Sequence, residues 1–130
     1  MPTASGPFSV NTEAEPPFLE QDGLTLNRSV VHKEFSGDMV GTSEVQMIAA
    51  FTGTPGSAAY VAIEHFTGSV DGKSGSFVLQ HSGVMNKGDA ELTVTIVPDS
   101  GTGELTGISG TLEIDNNEGQ HVYVLDYKLD

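Results

Sequence analysis

Apolar residues in this chain recur at every second position, and helical three-to-four spacing is almost absent. Residues 92–97 read LTVTIV, residues 121–129 read HVYVLDYKL, and glycine-rich breaks bound each such run. Period-two alternation in β-branched and aromatic residues is the signature of half-buried strands. Eight runs fit it: 6–12, 24–35, 41–51, 59–70, 75–83, 90–97, 104–115 and 121–129. The breaks carry turn chemistry, including Asp71-Gly72, a two-residue hairpin signal.

Residues 1–5 read as a free tail and residues 13–23 as a long loop, in which Pro16 and Pro17 donate no ladder hydrogen bonds. Every later connection is short, and short links join antiparallel neighbours. The expected fold is an all-β, eight-stranded antiparallel up-and-down β-barrel, since closure removes exposed edges. Eight strands leave an interior that side chains or one small ligand can fill. A two-sheet sandwich, the main rival, usually needs longer crossovers.

Several strands are apolar on both faces. Tyr60, Ala62 and Phe66 point one way, and Val61 and Ile63 the other. Tyr123, Leu125, Tyr127 and Leu129 oppose Val122 and Val124. A barrel in water needs only its inside apolar, so a covered outer face is expected, most simply in a homo-oligomer, a dimer or trimer.

At 130 residues with 37% hydrophobic content, the chain suits one globular domain. It has no cysteine, which excludes disulfides, thiolate metal sites and a cysteine nucleophile. Eighteen acidic residues against five basic give a net charge of −13. Such a surface repels phosphate backbones and anionic lipids, so neither nucleic acid nor membrane is an expected partner. No apolar run approaches the ~18 residues that span a bilayer, and the N-terminus lacks a signal-peptide pattern. A cytoplasmic protein is the expectation.

Residues 99–110 read DSGTGELTGISG, with glycines at 101, 103, 107 and 110. A phosphate loop needs a helix after its glycines, and here a β-like run follows instead. The stretch reads as a turn and tight corner of a sheet. DSGTGELTGISGTLEI resembles the GTG-x-[LF]-x-G-x-x-G corner of allene oxide cyclase-like and dirigent-like barrels. Together with IEHFTGSVDGKSGSFVLQHSG (residues 63–83) and HVYVLDYKL, it makes the chain similar to an uncharacterised bacterial family of that barrel superfamily. The resemblance spans about Gly6 to Leu129. It implies an eight-stranded barrel with a partly apolar lumen, often oligomeric, and it transfers no activity.

Glu64 lies mid-strand among Tyr60, Ile63 and Phe66, where apolar company raises a carboxyl pKa and suits it to general acid or base work. His81 shares a face with Phe77 and Leu79 and titrates in the range useful for moving protons. Glu64 and His81 are thus the candidate catalytic pair. Arg28, the only arginine, is a candidate partner for Glu64 or Glu34, or a clamp for an anionic ligand. Phe66, Phe77, Tyr60, Tyr123 and Tyr127 complete the candidate ligand-binding set with Arg28, Glu64 and His81. His32, His65, His81 and His121 are scattered with no H-x-H pair, so neither a metal nor another cofactor is expected. There is no G-x-S-x-G elbow for a serine nucleophile.

The expected function is the binding of a small apolar molecule in the lumen, by a protein whose activity is uncharacterised. One alternative is a cofactor-free isomerase or cyclase in which Glu64 or His81 moves a proton. The other is a structural or interaction protein whose barrel is solidly packed.

Overall fold

The computed structural model describes residues 2–115 and 121–129. Its strands are β1 (Thr3–Ala14), β2 (Leu19–Gln21), β3 (Leu24–Phe35), β4 (Met39–Phe51) and β5 (Ala58–Val70). They continue as β6 (Lys73–Asn86), β7 (Asp89–Ile96), β8 (Thr102–Gly103), β9 (Ser109–Asp115) and β10 (Val122–Lys128). No helix occurs among the described residues, so none is long and apolar enough to cross a membrane.

Consecutive long strands pair antiparallel, in the order β1-β10-β9-β7-β6-β5-β4-β3, and a β1–β3 pairing joins the ends. This is the closed eight-stranded barrel that the alternation predicts. β1 closes it by changing partner. Thr3–Pro7 pair with Asp126–Val122 of β10, and Phe8–Ala14 pair with Phe35–Ser29 of β3. The change falls at Pro7, which has no N–H to give to a ladder. The ladder therefore starts inside the expected tail, and β2 pairs with β3 inside the expected loop.

The seventh run differs from its expected span. Residues 104–107 form a turn, and the strand starts only at Ser109. Backbone crowding is the reason. A Cβ on Gly101 would stand 2.0 Å from the Leu105 carbonyl oxygen, and one on Gly110 would stand 2.1 Å from that of Asp126. The glycines thus form a corner, from which Leu105 and Ile108 plunge fully buried into the core. The NNEG turn expected near residue 116 lies outside the described residues.

The interior is divided. The larger apolar cluster fills one end of the barrel with Phe8, Phe35, Phe66, Phe77, Leu79, Tyr123 and their neighbours. Phe35 meets Phe66 edge-on at 5.3 Å between ring centroids, and Phe66 lies 5.2 Å from Phe77. Edge-to-face and tilted rings at these spacings pack closely against one another. The Tyr123 hydroxyl accepts from the Met39 N–H at 2.7 Å and donates to the Ser36 carbonyl at 2.6 Å, tying β10 to the β3–β4 turn. A smaller cluster of Val31, Val45 and Ala62, with Met47 and Tyr60 against it, occupies the other end.

Candidate functional site

The inward positions of β5 run Tyr60, Ala62, Glu64, Phe66. Tyr60 and Ala62 belong to the smaller cluster and Phe66 to the larger, so Glu64 stands at the boundary. Its residue exposure is 0%. Three neighbouring strands supply donors. Lys33 Nζ of β3 lies 3.1 Å from Oε1, His81 Nε2 of β6 lies 2.7 Å from the same oxygen, and Ser43 Oγ of β4 lies 2.6 Å from Oε2. The Lys33 ammonium also sits 5.0 Å above the Phe8 ring. Lysine reaches this depth because its long stem packs on apolar surface while its head finds a counter-charge.

Burial alone would raise the Glu64 pKa. The His81 hydrogen bond, the Lys33 charge and the Ser43 hydroxyl outweigh it, and the carboxyl lies below its ordinary value. The rise that apolar company alone would bring is thus offset by these three donors, and in its ionised form the carboxylate holds His81 in place. In the neutral imidazole, donating Nε2–H to Glu64 leaves Nδ1 as an acceptor.

Beyond this polar layer and the smaller apolar cluster, the barrel end opposite the aromatic cluster is open. A recess of about 370 Å³ is lined by inward residues of four successive strands, among them Met47, Ala49, Tyr60, Gly83 and Leu92, with Glu91 at its edge. Gly83 makes the room. A Cβ there would stand 2.5 Å from Tyr60 Cε1, so the tyrosine ring lies directly over the glycine. That ring is also 6.4 Å from the His81 ring, and burial followed by the Glu64 charge raises the Tyr60 pKa.

Tyr60, Glu64 and His81 are therefore brought together. The other candidates lie elsewhere. Phe66 and Phe77 are sealed in the aromatic cluster, and Tyr123 is fully buried there. Tyr127, also buried, donates its hydroxyl to Asp71. Arg28 faces outward and bonds Glu15 Oε2 at 2.7 Å and Gln46 Oε1, not Glu64 or Glu34. His32, Glu44 and His65 stand opposite one another on the outer face of β3, β4 and β5. Even so, no group of three or more metal-ligating side chains among the described residues is arranged to hold an ion. Lys33, Ser43 and Gly83 escape sequence reasoning, although Lys33 shares its parity with Val31 and Phe35.

A family model described as "Protein of unknown function (DUF3224)" matches residues 4–127, including every strand of the barrel wall and all four polar-layer residues. The chain belongs to the DUF3224 family. A crystal structure of a DUF3224 protein with unknown function from Shewanella oneidensis MR-1 is similar throughout. It shares 40% identity with a TM-score of 0.95, and the alignment covers 100% of this chain and 98% of that one. None of the functionally curated proteins matches the chain. The DUF3224 likeness thus extends over the whole barrel and carries no activity with it.

Proposed function

We propose that this barrel binds a small apolar molecule in the recess beyond the cluster of Val31, Val45 and Ala62. One observation carries the proposal. The inward faces of β4 to β7 meet their own aromatic core at one end and line a recess with Met47, Ala49, Tyr60 and Leu92 at the other. A concave apolar space with few polar groups is the usual form of a small-molecule site. The likeness of the GTGELTG corner to allene oxide cyclase-like barrels, with their partly apolar lumen, belongs with this proposal.

The test is a fluorescence titration with N-phenyl-1-naphthylamine, a neutral probe that brightens in apolar surroundings. At about 0.3 kcal/mol per heavy atom its Kd falls on the order of 0.1 mM. Ala49→Phe, which fills the recess, abolishes the brightening while the melting temperature shows the barrel intact. No brightening with the native protein overturns the proposal in favour of a structural barrel.

The 2.7 Å Glu64–His81 contact supports a second possibility, a cofactor-free isomerase or cyclase. There His81 accepts and returns a substrate proton, and Glu64 holds the imidazole in place. Exchange of solvent deuterium into the α-carbon of a bound naphthyl ketone, lost in His81→Gln, distinguishes this chemistry from simple binding.

A second copy of the chain is the proposed partner for the outer face of β3 to β6. Phe18, Ile48, Val61 and Val84 line an apolar groove there that contains no acidic residue. On a chain of net charge −13, such a face lets two copies meet without opposing carboxylates in the contact itself. Val61→Lys is expected to convert a dimer or trimer to monomer in sedimentation; a monomeric native protein contradicts the assignment.

A further inference from the structure

We infer that the free edge of β7 captures an extended peptide segment of alternating basic and apolar residues, which joins the wall as an added strand. The wall is zipped unevenly. Its other neighbouring strands share long ladders, whereas β7 and β9 meet at one ladder position, Thr95 opposite Thr111. Val97, just past β7, donates its N–H to the Val78 carbonyl of β6. Backbone groups alternate sides along a strand, so those of Thr95, Thr93 and Glu91 also face β6. Those of Val94, Leu92 and Ala90 face away. The bridge at Thr95 is bonded through its neighbours, which engages Val94. Among the described residues, no strand pairs with Leu92 or Ala90 on that side. Both residues are exposed. Two backbone donors and two acceptors thus lie open on one edge, the usual template for strand addition.

The side chains of β7 set the chemistry of the added strand. An antiparallel segment seated on this edge runs about 4.8 Å from β7. Its side chains directly opposite Leu92 and Ala90 share their face. Those two residues line the recess beside Met85, so apolar residues fit there. The side chain opposite Glu91 projects outward with it, on the face that also carries Asp89 and Thr93. A lysine or arginine at that position meets opposite charge at cross-strand spacing. The net charge of −13 draws a basic segment to the surface, and the edge gives it a register.

The same acids disfavour a second copy of the chain on this edge. Pairing Leu92 with Ala90 of another copy sets Glu91 directly against its own counterpart, and like charges so placed are destabilising. Charged side chains on an edge strand guard it in this way against self-association. The bonds in question are backbone bonds, so the edge proposal stands whether or not the recess holds a small molecule.

Four capped, dye-labelled peptides test this by fluorescence anisotropy at pH 7. One alternates lysine and valine, two are its copies N-methylated at the valines or at the lysines, and one alternates glutamate and valine. The lysine–valine peptide is expected to bind, and its Ala90 and Leu92 contacts to slow hydrogen exchange at those two amides. Methylating the valine nitrogens, which face β7, is expected to weaken binding about 10-fold or more. Methylating the lysine nitrogens, which face away, leaves it intact, and the glutamate peptide does not bind. Ala90→Pro removes an edge donor and no bond to β6, so it weakens binding. Glu91→Lys weakens it as well. Equal affinity of the two methylated peptides reduces the binding to charge alone and overturns the proposal, as does no binding. Binding of the glutamate peptide overturns the basic assignment. Protection of Ala90 and Leu92 that grows with protein concentration, without peptide, gives the edge to a second copy instead. The native comparison decides the matter even where a variant fails to fold.

Discussion

Lys33 and His81, carried by strands with two others between them, end on a single atom, Glu64 Oε1, at 3.1 and 2.7 Å. Their meeting point is also the boundary between the aromatic core and the smaller apolar cluster that underlies the recess. A charged layer in that position costs desolvation, which only full pairing offsets. Ser43 completes the pairing on the other oxygen.

Replacing Glu64 by Gln leaves the Lys33 ammonium buried without a counter-charge. Breaking such a pair costs about 3–5 kcal/mol. Urea unfolding of Glu64→Gln should show that loss, and adding Lys33→Met should recover much of it, because the stranded charge is then gone. A Glu64→Gln protein as stable as the native one would mean the layer contributes nothing.

Acid should expose the same layer. The folded Glu64 pKa lies below its ordinary value of 4.5. Its contribution to stability is therefore complete above that value and fades as pH falls through the lower folded pKa. Urea midpoints measured from about pH 6 to pH 3 should converge for native and Glu64→Gln proteins at the acid end. Parallel curves would contradict the assignment.

At alkaline pH the tyrosines report. The Asp71 hydrogen bond, then burial, pushes the Tyr127 pKa up to about 12, and burial raises those of Tyr60 and Tyr123. A group raised on folding stabilises below its unfolded pKa of 10 and loses that contribution as pH rises toward the folded value. Phenolate absorbance should therefore appear later in the folded protein than in urea, and Asp71→Asn should bring Tyr127 earlier. Coincident folded and unfolded titrations would show the hydroxyls to be free.

The wall of the barrel was legible in the sequence because alternation and turn residues are local. Residues 24–35 form a strand with those bounds, and Asp71-Gly72 makes the hairpin with positive φ at both positions, 49° and 84°. The inside was harder to read. On β3 to β5 both faces are apolar, so parity alone could not say which one turned inward. Arg28 sits between Leu26 and Val30 as expected, but on the outer face. Lys33 reads as a surface residue in the sequence, because lysine is almost never buried unless paired. Its pairing depends on β3, β4, β5 and β6 lying side by side, a register no single strand encodes. The glycines mark a corner in the sequence, yet its turn at 104–107 depends on contacts with β10 and with the Leu105 backbone that no local pattern carries.

Methionine gives the most direct test of the divided interior. Met47 and Met85 line the recess, whereas Met39 is fully buried in the aromatic cluster. With ¹³C-methyl methionine, titration with 2-methoxynaphthalene should move the Met47 and Met85 methyl resonances and leave Met39 in place. Movement of Met39, or of none of the three, would contradict a barrel packed at one end and open to an apolar guest at the other.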